Sequence, residues 1–70
     1  MSKSIESRIK HWKVDIYIEE RDGLFITEFE LKKEGVMRFG KISPCRMNKR
    51  ELNRELKYCM KKAKEKVREE

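Results

Sequence analysis

From Trp12 to Ile18 the chain alternates strictly, with Trp12, Val14, Ile16 and Ile18 on one side of an extended backbone and Lys13, Asp15, Tyr17 and Glu19 on the other. Successive side chains of a strand point to opposite faces, so this pattern predicts a strand with one face on a core and one on solvent. Glu20-Arg21-Asp22-Gly23 then turns the chain, Gly23 supplying the positive φ that a tight hairpin needs. A second strand runs from Leu24 to about Lys32 and carries Phe25, Thr27, Phe29 and Leu31 on one face. A two-residue or a four-residue loop sets these against the inward residues of the first strand equally well, so the hairpin is predicted either way. Lys33-Glu34-Gly35 makes the next turn, and Val36 to Ile42 forms a third strand with Met37 and Phe39 expected on the core side and a bulge or bend expected at Gly40. Ser43-Pro44 interrupts the ladder, leaving Cys45 to Met47 as a linker or a short fourth edge strand.

At Asn48 the period changes. Leu52, Leu56, Cys59, Met60, Ala63 and Val67 recur at three- and four-residue intervals, as one face of a long helix requires. Asn48 is placed to cap its first amides, and Glu51, three residues on, to complete a capping box. Residues from Met1 to about Ile9 show no clear period and are expected to form a mobile arm. The predicted fold is α+β: an antiparallel three- to four-stranded meander followed by one long C-terminal helix packed on one face of the sheet. It is a single domain over 1–70, with the arm at 1–9, the sheet at 10–47 and the helix at 48–70. The expected core is Trp12, Val14, Ile16, Ile18, Phe25, Phe29, Leu31, Met37, Phe39 and Met47, closed by the apolar helix stripe.

Charge changes the picture on the far side of that helix. Arg50, Arg54, Lys57, Lys61, Lys64 and Arg68 form a second stripe, roughly 130° from the apolar one at about 100° per residue. Like-charge neighbours at i, i+4, such as Arg50/Arg54, Lys57/Lys61 and Lys64/Arg68, each cost a few tenths of a kcal/mol. Either the stripe is an ordinary solvated face, or an anionic partner compensates the repulsion. The distribution along the chain bears on this choice: residues 1–35 carry 7 basic and 8 acidic groups, whereas residues 36–70 carry 12 and 5, which together give the net +6. Such segregation fits a surface that meets nucleic acid. The expected function is a small non-enzymatic nucleic-acid-binding module, with DNA the expected form and strandedness open, contacting phosphates through Arg38, Lys41, Arg46, Arg50, Arg54, Lys57, Lys61, Lys64 and Arg68. The alternative is a protein-interaction or regulatory module. Its expected interface is an apolar row of Tyr17, Ile26 and Ile42 on the free sheet face, docking a protein partner or a second copy to give a homodimer.

Composition narrows the rest. A hydrophobic fraction of 37% against 46% charged is lean, but the apolar residues are periodic rather than scattered, which favours folding over disorder. No apolar run approaches the ~18 residues of a membrane span and the N-terminal segment lacks a signal-peptide core, so a cytoplasmic protein with no membrane partner is expected. Cys45 and Cys59 form no CxxC pair, and Cys59, on the apolar stripe, is expected to be a buried free thiol. The one histidine, His11, has no nucleophile placed beside it by any motif, and no zinc spacing, calcium loop or Gly-rich phosphate loop occurs. No enzyme activity, metal or cofactor is expected.

From Phe25 to Leu56 the order of features is strand, turn at Glu34-Gly35, Gly40-Lys41-Ile42, short strand Cys45-Arg46-Met47, Asn48 cap and helix. This resembles the core of the transcriptional positive cofactor four family. The resemblance implies a curved four-stranded sheet with a C-terminal helix, a dimer, and single-stranded DNA held on the sheet. Lys41 stands near that family's basic segment, and Met47-Asn48 at the residues that open its helix. Leu52 replaces the family's Trp, and Glu28-Phe29-Glu30 replaces its Asp-Ile-Arg, putting a carboxylate where a phosphate-binding Arg would stand. The basic helix stripe is therefore the expected contact surface for nucleic acid rather than the sheet. Arm-binding domains of integrases and degraded RNase H-like antitoxins share the strand-and-helix order.

Overall fold

Four strands follow one another as an antiparallel meander, β1 (Ser2–Ile9), β2 (Trp12–Arg21), β3 (Leu24–Lys33) and β4 (Val36–Ile42), and one helix, α1 (Lys49–Arg68), closes the chain. This is the predicted α+β arrangement, seen in a computed structural model that describes residues 2–69. Met1 and Glu70, assigned from sequence to the arm and the helix, lie outside the described residues.

The strand register sorts the side chains. On the inner face Ile16 pairs with Phe29 and Val14 with Leu31, and the sheet continues to Phe39 on β4. With Trp12, Ile18, Met47 and the helix residues Leu52, Cys59, Ala63 and Val67 they make the core, against which Ile9, Phe25, Phe39, Leu56 and Met60 are half-buried. Helix α1 lies mainly over β3. Cys59 and Ala63, the small residues of its apolar stripe, are fully buried, which is what lets a helix backbone approach a sheet closely. At its start the Glu51 amide donates to Asn48 Oδ1 (2.9 Å) and the Asn48 amide donates to Glu51 Oε1 (3.0 Å), the reciprocal pair of a capping box.

The β2–β3 and β3–β4 loops are two residues each, Asp22-Gly23 and Glu34-Gly35, with positive φ at both positions of both pairs. Those dihedrals define the type I′ turn whose twist suits a hairpin.

Three expectations are corrected. Residues 2–9 are not an arm: they form edge strand β1, paired with β2 from Ser2 opposite Glu19 to Ile9 opposite Trp12. Its signal is weak because the inward positions Lys3, Ile5, Ser7 and Ile9 include only two apolar residues. The connection Lys10-His11 also lacks a glycine, Lys10 taking φ 55 itself. Met37 is not in the core but 56% exposed. Leu31 pairs with Phe39 and Lys32 with Met37, so Arg38 is the extra residue of a bulge, and the bulge returns Met37 to the outer face with Lys32. That bulge lies at Arg38, not at Gly40, which stays in the ladder opposite Glu30. Beyond Pro44 the chain rejoins the sheet at a single point, where Phe25 and Met47 exchange amide-to-carbonyl bonds of 2.8 Å each. Thr27 and Ser43 anchor the kink, the Ser43 amide donating to the Thr27 carbonyl (2.9 Å) and the Thr27 amide to Ser43 Oγ (3.0 Å).

Candidate nucleic-acid interface

Burial of the apolar stripe fixes the rotation of α1 and therefore what it offers to solvent. Arg50, Arg54, Lys57, Lys61, Lys64 and Arg68 are all exposed, and none of the six is ion-paired among the described residues. Neighbouring lysines outside the stripe are engaged. The Lys62 and Lys66 ammonium groups lie over the Phe39 ring, 5.7 and 5.6 Å from its centre, and Lys66 also pairs with Glu69 at 3.9 Å. These two lysines shield a half-buried aromatic with their stems and charges. The structure thus separates two kinds of helix lysine that look alike in sequence.

Arg38, Lys41 and Arg46 do not join the stripe as one set. Arg38 is exposed in the β4 bulge. Lys41 is on the inner face of β4, opposite Phe29, where its ammonium donates to Glu55 of α1 and lies 5.2 Å from the centre of the Tyr58 ring. Its charge is largely taken up inside the molecule. Arg46 lines a recess with Glu19, Arg21, Leu24 and Ile26 near the end of the β2–β3 hairpin. Of the nine sequence-predicted contacts, α1 gathers six.

The outer face of the sheet is built on different terms. Glu6, Asp15 and Glu30 form one cross-strand row, and Arg8, Lys13 and Lys32 form the next. The rows interlock: Lys13 is 3.9 Å from Asp15, and Lys32 is 4.0 Å from Asp15 and 3.6 Å from Glu30. Asp15 is only 2% exposed at the centre of this lattice, and its Oδ2 makes no hydrogen bond. Two ammonium groups at the edge of contact compensate that carboxylate. Tyr17 stands beside the lattice, next to Asp15 and Glu30. Its pKa is raised, first by loss of water and then by the negative charges of Asp15 and Glu30.

Tyr17, Ile26 and Ile42 share the outer face but are not a straight row. Tyr17 and Ile42 are each directly opposite Glu28, and Ile26 is opposite Glu19, so the three surround Glu28. They are 43, 39 and 65% exposed and line a shallow recess of about 400 Å³ with Ser4, Glu19 and Glu28. Its carboxylates make it a poor seat for phosphate.

Sequence reasoning missed Tyr58, which is 44% exposed beside the stripe. It lies four residues after Arg54 and three before Lys61, spacings that make helix neighbours, so the signal was available. The buried thiol of Cys59 has its pKa pushed up to about 11, by burial first and the nearby Glu55 carboxylate second, with Lys41 opposing. Among the described residues no group of three or more His, Cys, Asp or Glu could hold a metal ion, and no helix is long and apolar enough to cross a membrane.

Fold and surface together define a four-stranded meander whose covering helix carries a cationic face with no ion pair among the described residues. Comparison with protein-family models, with curated proteins and with solved structures finds no match to this chain.

Proposed function

We propose that this protein is a small non-enzymatic nucleic-acid-binding module, DNA in the first instance, that contacts phosphates through the outer face of α1. One observation carries the reading: six cations share a face with no ion-pair partner among the described residues, while Lys13, Lys32, Lys41 and Lys66 are each paired with a carboxylate. From residue 50 to residue 68 the stripe extends ~27 Å at ~1.5 Å per residue, enough to face about eight successive phosphates of one strand at ~3.4 Å each.

Neutralising up to six phosphates gives a slope of log affinity against log salt near about −5 for a duplex and about −4 for a single strand. Affinity should then fall by roughly 10³-fold between about 50 and 200 mM salt, with little dependence on sequence. Fluorescence anisotropy of labelled oligonucleotides measures this directly. Absence of binding to either strand form at about 50 mM salt would sink the reading.

The exposed Tyr17, Ile26 and Ile42 around Glu28 favour a second reading, a docking face for a protein partner or another copy of this chain. Sedimentation separates its versions, because a strict monomer at high concentration removes self-association.

A further inference from the structure

We propose that the ligand of this interface is single-stranded nucleic acid, one base of which stacks on the Tyr58 ring while its phosphates follow Arg54, Lys57 and Lys61. The proposal rests on the nucleic-acid reading of α1 and adds the strand form and the residue that selects it.

Phosphate contacts alone do not distinguish a single strand from a duplex. An exposed aromatic ring beside a cationic track does, because the bases of a single strand are free to stack whereas those of a duplex are already stacked and paired. The two exposed tyrosines are not equivalent. Tyr17 is on the outer sheet face, opposite Glu28 and close to Asp15 and Glu30, where a phosphate chain would be repelled. Tyr58 is on α1 itself, adjacent to Arg54 and Lys61, and its ring is held from one face by the Lys41 ammonium at 5.2 Å. Lys41 is in turn fixed by its ion pair with Glu55. A ring positioned in this way loses little side-chain freedom on binding, which is the advantage of a pre-organised platform.

Tyr58 also forms part of the wall of a recess of about 550 Å³ whose other walls include Pro44, Cys45, Met47 and Arg54. That volume lies within the range of small-molecule sites; Lys41, Arg54, Glu51 and Glu55 also line it, so its charges are balanced beside the apolar surface of Pro44, Cys45 and Met47 that a flat heterocycle would meet. The carboxylates nearby are already committed: Glu55 to Lys41, and Glu51 to the capping box.

The test compares wild-type protein, Tyr58→Ala and Tyr58→Phe, all confirmed folded by circular dichroism. Each is titrated at about 50 mM salt with a thymidine oligonucleotide, an abasic oligonucleotide of equal length, and a duplex. Stacking predicts that Tyr58→Ala weakens binding of the thymidine strand by about 5- to 150-fold, leaves abasic and duplex binding unchanged, and is rescued by Tyr58→Phe. Equal binding of the thymidine and abasic strands by wild-type protein, or a Tyr58→Ala variant that matches wild type on all three, overturns the stacking proposal and leaves the phosphate reading standing. Failure of wild-type protein to bind any of the three overturns both.

Discussion

Replacing Arg54 and Lys61 with Glu should make this protein more stable and a much weaker ligand for nucleic acid. Both side chains are exposed and unpaired among the described residues, so no core contact is lost, and Arg, Lys and Glu have similar helix propensity. The effect can be worked from helix neighbours. A carboxylate at position 54 faces Arg50 at i, i+4 and Lys57 at i, i+3, and one at position 61 faces Lys57 at i, i+4 and Lys64 at i, i+3, so four like-charge contacts become opposite-charge ones. Two favourable contacts are lost, Glu51 with position 54 and position 61 with Glu65. Each conversion is worth about twice the ~0.2–0.5 kcal/mol of a single pair, so four gains against two losses leave roughly 1 kcal/mol of added stability. For a domain of this size that raises Tm by about 4–8 °C. The increment should shrink at about 1 M salt, where the Debye length falls to ~3 Å.

Binding should move the other way. Two cations removed and two anions added lower the effective phosphate count from six to about two, so the salt slope on duplex falls from near −5 to about −2. Thermal unfolding by circular dichroism at low and high salt, with anisotropy titrations on the same preparations, reads both quantities. A variant that melts below wild type would refute the pair assignment. One that binds with an unchanged slope would show that the α1 face does not touch phosphate.

Four further outcomes follow from the packing. Phe29 is fully buried at the centre of the sheet, and Phe29→Ala should cost about 3–5 kcal/mol out of the ~4–10 kcal/mol expected for a chain of this length, so denaturant titration should show a largely collapsed transition. Asn48→Ala removes the acceptor of the Glu51 amide and should cost about 1 kcal/mol, with Asn48→Ser close to neutral in the same melt. A thiol reagent at pH 8 should modify exposed Cys45 and spare buried Cys59 until denaturant is added. Above pH 9 the unfolded Cys59 thiol ionises while the folded one holds its proton to about 11. The native state then binds more protons and loses stability as pH rises through that window, by on the order of 2 kcal/mol, a component that Cys59→Ala should remove.

The legible parts of the fold are those where local signals agree. In β2 and β3 alternation, Asp-Gly and Glu-Gly turns and the helix cap all point one way, and there the inward faces, the hairpins and the capping box match expectation, while the β2–β3 loop, left open between two and four residues, has two. Two elements escaped because their determinants are not local. The inner face of β1 offers Lys3, Ile5, Ser7 and Ile9, and only the ladder with β2 makes it a strand. Met37 obeys alternation within its own segment, but one bulged residue, Arg38, flips it to solvent. The candidate site shows the same division. The helix stripe follows from a fixed period of about 3.6 residues, so its exposure was readable. The engagement of Lys41 by Glu55 and Tyr58 joins a strand to a helix across 14 and 17 positions of sequence and was not.

The contrast between the two charged faces is the strongest physical argument for a ligand. On the outer sheet face a row of cations is set directly against a row of carboxylates, and even a nearly buried Asp15 has ammonium groups within 4.0 Å. The chain can therefore compensate charge where folding alone is at stake. On α1 it leaves like-charge neighbours that two substitutions would relieve, in a domain small enough for roughly 1 kcal/mol to matter. Natural surfaces commonly leave such increments of stability unused, so it is the contrast with the paired sheet face, rather than the repulsion alone, that supports the proposed role of α1. A phosphate chain laid along Arg50 to Arg68 would convert that repulsion into counterion release, so the cost carried by the free protein reappears as affinity in the complex.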